Sequence, residues 1–502
     1  MEIKIIFLIV FFAIMIAVGA YCRKHTTNVN SFLLGGRNVG GWLTAFAYGT
    51  SYFSAVIFVG YAGQFGWKYG LSATWIGIGN AVIGSMLAWM ILANRTRLMT
   101  GHLHSSTMPD FFGKRFNSKF IKVFASIVCF VFLIPYTASL YNGLSRIFNM
   151  AFGIDYAWCV IGMAFITGLY VILGGYMATA INDFIQGIVM LGGIVAVILA
   201  VVNGNGGFAA AVASLAEIPA DADPTAAGQF ATWFGPDKIN LLGVVLLTSL
   251  GTWGLPQMVG KFYAIKDQAA IKKGTVVSTI FAIIVAGGCY FLGGFGRLYG
   301  DIVARVDGKI IFDSIVPAML TNLPDILVGI VVILVLSASM STLSALVLTS
   351  GSTLTLDFIE PLKKKKLTEK GKLLIIRLLI AVFIVISGTI AIVQARSTVT
   401  FIAQLMGISW GALAGAFLAP FILSLYWKGV TRTAAIINIF VAPCLMVANM
   451  LFGSHFPEIL RSPINCGVLA MLAGFVIVPV VSLITKKPEE KEVKEIFDCY
   501  VK

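Results

Sequence analysis

The stretch Leu336-Ser337-Ala338-Ser339-Met340-Ser341-Thr342-Leu343-Ser344-Ala345 places five hydroxyls within eight residues of an otherwise apolar segment. Ser341 and Thr342 follow Ala338 by three and four residues, so a helix carries all three on one face. Two chemistries are open to such a cluster. Each hydroxyl can bond back to a carbonyl one turn earlier, or the face can offer oxygen ligands to a cation. Na+ is a hard ion and prefers oxygen, by analogy with the hard divalent cations. Hydroxyls joined by carbonyls released from a broken helix would supply those oxygens without a buried carboxylate.

Two segments have the composition of such breaks. One is Ala47-Tyr48-Gly49-Thr50-Ser51-Tyr52-Phe53-Ser54, followed by Gly60-Tyr61-Ala62-Gly63. The other is Thr248-Ser249-Leu250-Gly251-Thr252-Trp253-Gly254-Leu255-Pro256-Gln257. Pro256 removes an amide donor, and the glycines permit unwinding; the alternative is that small residues simply allow close helix packing. Asp183 is the one acid inside an apolar span. A carboxylate there is functional by default, yet Asn182-Asp183 could also cap the helix that follows.

These residues sit in a chain built for lipid. Of 502 residues, 58% are hydrophobic and 12% charged, with mean hydropathy +0.92. That is about half the charge of a soluble domain, which excludes a soluble enzyme, a disordered chain and a disulfide scaffold. The fold class is an all-α polytopic membrane protein of about thirteen spans. They are placed near 3–21, 42–62, 72–93, 120–145, 156–174, 180–202, 240–258, 275–296, 326–350, 373–394, 399–426, 433–452 and 464–485. Arg23 and Lys24 follow the first apolar run rather than precede it, which argues for a retained helix rather than a signal peptide. With the N-terminus outside, the inner segments hold 27 of the 36 Lys and Arg residues, as the positive-inside rule requires. The net charge of +14 therefore points to cytoplasmic loops and lipid, not to nucleic acid. Residues 1–485 read as one transmembrane domain, and 486–502 as a charged, mobile cytoplasmic tail. The seven cysteines show no CxxC spacing and the four histidines fall in loops, so neither a metal centre, an organic cofactor nor a catalytic pair is expected.

The two breakable segments stand five spans apart. That spacing matches inverted-repeat transporters, whose discontinuous helices surround a midplane site. Spans 2–6 (42–202) and 7–11 (240–426) would be the repeats.

Three stretches resemble the sodium:solute symporter family: Ser31-Phe32-Leu33-Leu34-Gly35-Gly36-Arg37 through Trp42, Leu173-Gly174-Gly175-Tyr176 with Asn182-Asp183 and Gln186, and Ala338 through Ser344. The resemblance covers essentially the whole chain. It implies a leucine-transporter-type fold and a main Na+ site formed by the carbonyls of Thr50, Phe53 and Ala338 with the hydroxyls of Ser341 and Thr342. Some members hold a second Na+ or coupling site. Its counterparts here are Asp183, Ser341 and Ser344, with Ala345 where a hydroxyl would stand. The region around Gly251–Pro256 and Lys261-Phe262 is similar to the sodium/proline branch. Aromatic residues of that branch are replaced by Thr248 and Thr252, and an acidic one by Tyr52. These departures point to a small polar solute, an amino acid or a carboxylate, with Tyr52, Ser54, Thr248, Thr252, Trp253 and Gln257 as candidate contacts.

The expected activity is sodium-coupled uptake across the plasma (inner) membrane, by a chain functional as a monomer. Sodium/sugar or sodium/sialic acid symport is the alternative within the class, and a transporter-like solute sensor the alternative outside it. A channel would need pore-lining repeats, where this chain has one asymmetric polar set.

Overall fold

In the computed structural model, residues 2–24, 26–220, 223–365, 367–395 and 402–501 are described. The chain is mostly helical. Among the described residues, ten helices are long and apolar enough to cross a membrane, or eleven if one bent pair, Lys238–Gly254 with Pro256–Ala264, counts as a single span. Thirteen were expected. The difference lies in two continuous runs, Val56–His102 and Tyr156–Gly204, of 47 and 49 residues. At 1.5 Å per residue each is over twice the ~30 Å hydrocarbon thickness. Each is broken once by a glycine with positive φ, Gly70 (61°) and Gly175 (56°). The expected start of the eleventh span at 399–401 lies outside the described residues.

Both expected breaks are present. The helix Gly41–Tyr52 stops at Phe53 (φ −99°, ψ 89°), and the chain resumes as a π-helical turn, Val56–Tyr61. The helix Lys238–Leu250 tightens into a 3-10 turn, Gly251–Gly254, and Leu255 is extended before Pro256 opens the next helix; the bend is 47°. The start of the first broken helix meets the end of the second. The Val39 amide donates to the Ala264 carbonyl and the Lys266 amide to the Val39 carbonyl, both at 3.1 Å. The two broken helices therefore run in opposite directions.

The loops sort into two ends. At one end, Arg37 donates to the carbonyls of Thr100, Ser105 and Tyr263. Arg97 reaches Ile265 and Lys266, and Arg432 reaches Phe116 and Asn117. The Val29 amide meets Glu369. At the other end, Trp75 donates to the Trp233 carbonyl and Asn205 to the Tyr299 hydroxyl. The segments carrying the basic excess thus share one end of the bundle. The C-terminal segment, expected to be mobile, folds there instead. Its helix Glu490–Phe497 buries Val493 and Phe497, the Arg115 guanidinium lies 5.2 Å from the Phe497 ring centre, and His102 meets the Glu495 carbonyl. Val493, Ile496 and Phe497, at i, i+3 and i+4 of an otherwise charged helix, supply that docking face.

At this end Asp110 is held by Lys114 (2.8 Å) and Lys122 (2.7 Å), and Lys122 also faces Asp357 (3.4 Å). Burial alone would raise Asp110. The Lys122 and Lys114 ammonium groups outweigh it and hold the carboxyl below its ordinary range.

Close helix contacts are made by glycine. A Cβ added to Gly66 would sit 2.0 Å from the Gly293 carbonyl oxygen, whereas one on Gly192 would meet nothing within 4 Å. Gly66→Ala must push two backbones apart, a strain of about 1–3 kcal/mol. It is expected to lower the melting temperature of the detergent-solubilised protein by several degrees, with Gly192→Ala near the parent value. For Asp110, a depressed pKa means stability that is present above the unfolded value of about 3.9 and is lost as pH falls through the lower folded value. Melting temperature should therefore drop below about pH 4 less steeply in Asp110→Asn than in the parent.

Candidate functional site

The break at Phe53 leaves the last carbonyls of the Gly41–Tyr52 helix without intrahelical partners. In an apolar interior each needs a donor. The long helix Asp325–Thr353 provides them. Ser341 Oγ donates to the Thr50 carbonyl at 2.9 Å and lies 3.2 Å from the Ala338 carbonyl. Thr342 Oγ1 lies 3.1 Å from the Ala338 carbonyl, 3.3 Å from that of Thr50 and 3.4 Å from that of Ser51. All these residues are buried. Four of the five expected main-site residues, Thr50, Ala338, Ser341 and Thr342, thus converge. Phe53 stands at the break itself, its amide bonded back to Gly49; among the described residues no hydrogen bond links its carbonyl to the two hydroxyls. Ser51 joins the set, a contribution of main chain that no side-chain pattern marks.

The donor set fits a hard monovalent cation. It is all oxygen and carries no formal charge, and each hydroxyl keeps lone pairs free while donating its one proton. The two open chemistries of the serine-rich helix are divided by position. Ser339 and Ser344 bond back to their own helix, to the Val335 and Ser341 carbonyls, whereas Ser341 and Thr342 also reach across to the broken one.

Asp183 is not a cap. The backbone break falls at Gly175, and the helix runs on unbroken through Asp183 to Gly204. Its carboxylate is fully buried, and its partner is Lys261, at 3.6 Å, on the second half of the other broken helix. Lys261 also lies 5.4 Å from the Tyr176 ring centre. Sequence reasoning missed this pairing because the two residues belong to different spans. Ser341, by contrast, faces Thr50, and Ser344 bonds back to the Ser341 carbonyl, so among the described residues no hydrogen bond joins Asp183 to the other two members of the expected trio, Ser341 and Ser344.

The candidate solute contacts separate into three places. Tyr52 donates to the Thr248 carbonyl. Thr248 Oγ1 meets Asn80 Oδ1 (2.9 Å), Thr252 meets the Ser249 carbonyl (2.9 Å) and, at 3.4 Å, that of Gly84, and Trp253 Nε1 donates to Ile83 (3.0 Å). These four therefore gather against Asn80–Leu87, a π-helical stretch of the kind found at functional sites. Ser54 lies instead beside Tyr136, whose ring packs edge-on to Trp410 at 5.9 Å. The Ser54 hydroxyl, the Tyr136 hydroxyl and the Trp410 indole N–H are buried side by side, with no hydrogen bond to any other group among the described residues. Buried polar groups are normally paired, so this trio is poised for a polar guest. Tyr136 and Trp410 were not expected; Pro135, inside the helix Lys119–Phe152, was the available sign of irregular backbone there. Gln257 occupies the third place, with both amide atoms unpaired, in a cavity of about 50 Å³ shared with Lys261 and Tyr176 at the basic end. A wider depression of about 860 Å³, edged by Lys68, Asp237, Glu458 and Arg461, marks the opposite end.

A membrane-embedded pair of broken helices around buried oxygen ligands defines a solute transporter rather than an enzyme. The chain belongs to the sodium:solute symporter family, which it matches over residues 32–441. It is 31% identical to the sodium/proline symporter 2 of Staphylococcus saprophyticus, over 96% of this chain and 93% of that one. It is 30% identical to the osmoregulated proline transporter OpuE of Bacillus subtilis, over 96% and 95%. Its fold is similar to that of a substrate-bound, outward-open Na+-coupled sialic acid symporter (TM-score 0.77, 18% identity, 97% of this chain and 99% of that one). It also resembles the nucleobase-cation-symport transporter MHP1 (TM-score 0.53, 13% identity, 93% and 98%). Such neighbours are leucine-transporter-fold proteins. The chain is thus a multi-pass membrane symporter that uses Na+ as its coupling ion.

A buried hydroxyl left unpaired costs stability rather than adding to it, so its removal is cheap unless a guest uses it. Tyr136→Phe and Ser54→Ala, which remove only the hydroxyl, should leave melting temperature nearly unchanged. Each should raise the solute concentration for half-maximal uptake about fivefold, the equivalent of about 1 kcal/mol for one neutral hydrogen bond.

Proposed function

We propose that this chain imports a small polar organic solute, an amino acid or a carboxylate, together with Na+ by alternating access. The observation that carries the reading is the pair of hydroxyls, Ser341 and Thr342, set on the carbonyls of a helix that ends in mid-membrane. Na+ entering there takes oxygens from both helices at once and holds them together. The solute binds beside it, between Tyr52, Thr248, Thr252 and Trp253 on one side and Ser54, Tyr136 and Trp410 on the other. Loss of Na+ to the cytoplasm lets the helices part and releases the solute toward the Gln257–Lys261 cavity.

In this reading the breaks at Gly70 and Gly175 divide the two long runs, giving thirteen crossings, with 42–202 and 240–426 as inverted repeats. The antiparallel course of the two broken helices supports that symmetry. The basic end faces the cytoplasm of a plasma-membrane protein, with the N-terminus outside and the C-terminus inside. One Na+ moving down ~100 mV releases about 2.3 kcal/mol. A tenfold Na+ gradient adds about 1.4 kcal/mol. Together they concentrate a neutral solute several hundredfold.

Proline is the second reading, favoured by the relatives; Thr248 and Thr252, where the proline branch has aromatic residues, weigh against it. A panel of amino acids, carboxylates, sugars and sialic acid, offered to sodium-gradient liposomes, separates these. Uptake, only with a Na+ gradient, of an amino acid or carboxylate other than proline is the expected result. Ser341→Ala and Thr342→Ala should each raise the Na+ concentration for half-maximal uptake tenfold or more, about 1.4 kcal/mol per lost ligand. Unchanged Na+ dependence in both would remove the assignment.

A further inference from the structure

Asp183 and Lys261 are the most deeply buried oppositely charged pair described in the bundle, with side-chain exposures of 0% and 4%. Their geometry is poor for a structural ion pair. Such pairs repay their desolvation only with excellent geometry and supporting hydrogen bonds. Here the closest approach, 3.6 Å, is longer than a charge-assisted hydrogen bond. Neither carboxylate oxygen accepts a hydrogen bond from another group of the protein. Around it, the Tyr176 hydroxyl and the side-chain amide oxygens of Asn182 (Oδ1) and Gln186 (Oε1) are also buried and unpaired. The site is rich in oxygen and holds one cationic group, the Lys261 ammonium.

The hydroxyls that could complete an ion site at Asp183 are directed elsewhere. Ser344 bonds to the Ser341 carbonyl at 2.8 Å, Ser341 is turned to Thr50, and position 345 is alanine. Tyr170, whose phenol donates to the Met340 carbonyl at 3.1 Å, lies between the carboxylate and this helix. With the Lys261 ammonium in place, the residues do not hold a second Na+. They fit an ammonium on a flexible stem, which needs no coordination shell and brings its own positive charge.

We propose that Lys261 is a cation built into the chain, standing at Asp183 in place of a second sodium. This rests on the sodium-symport reading above and deepens it: the protein couples to one Na+ because its own ammonium fills the other cationic position. Lys261 rides on the Pro256–Ala264 half-helix and Asp183 on the helix that follows the Gly175 break. The tethered charge therefore links the second half of a broken helix to its neighbour, the task that Ser341 and Thr342 perform at the other broken helix. The lysine also lines the cavity at the basic end, where water can reach the ammonium as the pair separates.

The test is a count of bound Na+, by equilibrium binding of radiolabelled Na+ to purified protein in detergent, with flux in liposomes beside it. The unaltered protein should bind one Na+ per chain. Lys261→Met leaves Asp183 uncompensated and should bind two, with the solute gradient at zero net flux changing from first-power to second-power dependence on the Na+ gradient. Adding Asp183→Asn to Lys261→Met should return the count to one. If Lys261→Met is recovered folded only with Na+ in the buffer and not with choline, the cation requirement at Asp183 is shown directly. Two ions in the unaltered protein, or one in folded Lys261→Met, or failure of Na+ to restore its folding, would overturn the proposal. Absence of any bound Na+ in the unaltered protein would instead defeat the symport reading on which it rests.

Discussion

A helix that stops inside a membrane exposes carbonyls that nothing in lipid will satisfy. The ending at Phe53 is that constraint in this protein. Thr50 and Ser51 present their oxygens to the one neighbouring helix with hydroxyls at the required height, and Ser341 and Thr342 answer them. The same need for partners explains why the second half of this broken helix is packed so tightly, with Gly66 against Gly293. Irregular backbone survives only when protein covers it.

The interior uses two kinds of polar chemistry for different ends. Around Asn80 the hydroxyls of Thr248 and Ser249 are paired, which fixes the break at Gly251–Leu255 against the π-helical stretch. Around Ser54, Tyr136 and Trp410 the polar atoms are unpaired. The first arrangement holds shape. The second stores unmet hydrogen-bonding capacity, and a guest of matching chemistry can claim it without displacing an existing bond.

Much of this was legible in the sequence, and the rest was not for definite reasons. The spans announce themselves by hydropathy, and both breaks by Gly, Ser and Pro256, since these signals are local. The Ala338, Ser341 and Thr342 face follows from helical periodicity alone. Lys261 as the partner of Asp183 was invisible, because periodicity says nothing about contacts between spans. Reading Asn182-Asp183 as a cap also failed for a local reason: the turn is made earlier, by Gly175. Tyr136 and Trp410 looked like ordinary membrane aromatics until their polar atoms proved unpaired. The tail was read by its charge, which hid the spacing of Val493 and Phe497.

Three of the five oxygens of the proposed ion site, the carbonyls of Thr50, Ser51 and Ala338, belong to the peptide backbone, and no substitution can delete a carbonyl. The Thr50 hydroxyl itself is engaged with the Phe46 carbonyl at 2.8 Å. Its side-chain identity is therefore a matter of local helix comfort rather than of ligation. Positions 50, 51 and 338 are constrained by burial rather than by ligation, so an exchange that fits the space and keeps the helix ending at the same residue would preserve the proposed site. Ion recognition of this kind is inherited as a place where the chain bends, and its ancestry is easier to trace by shape than by letters.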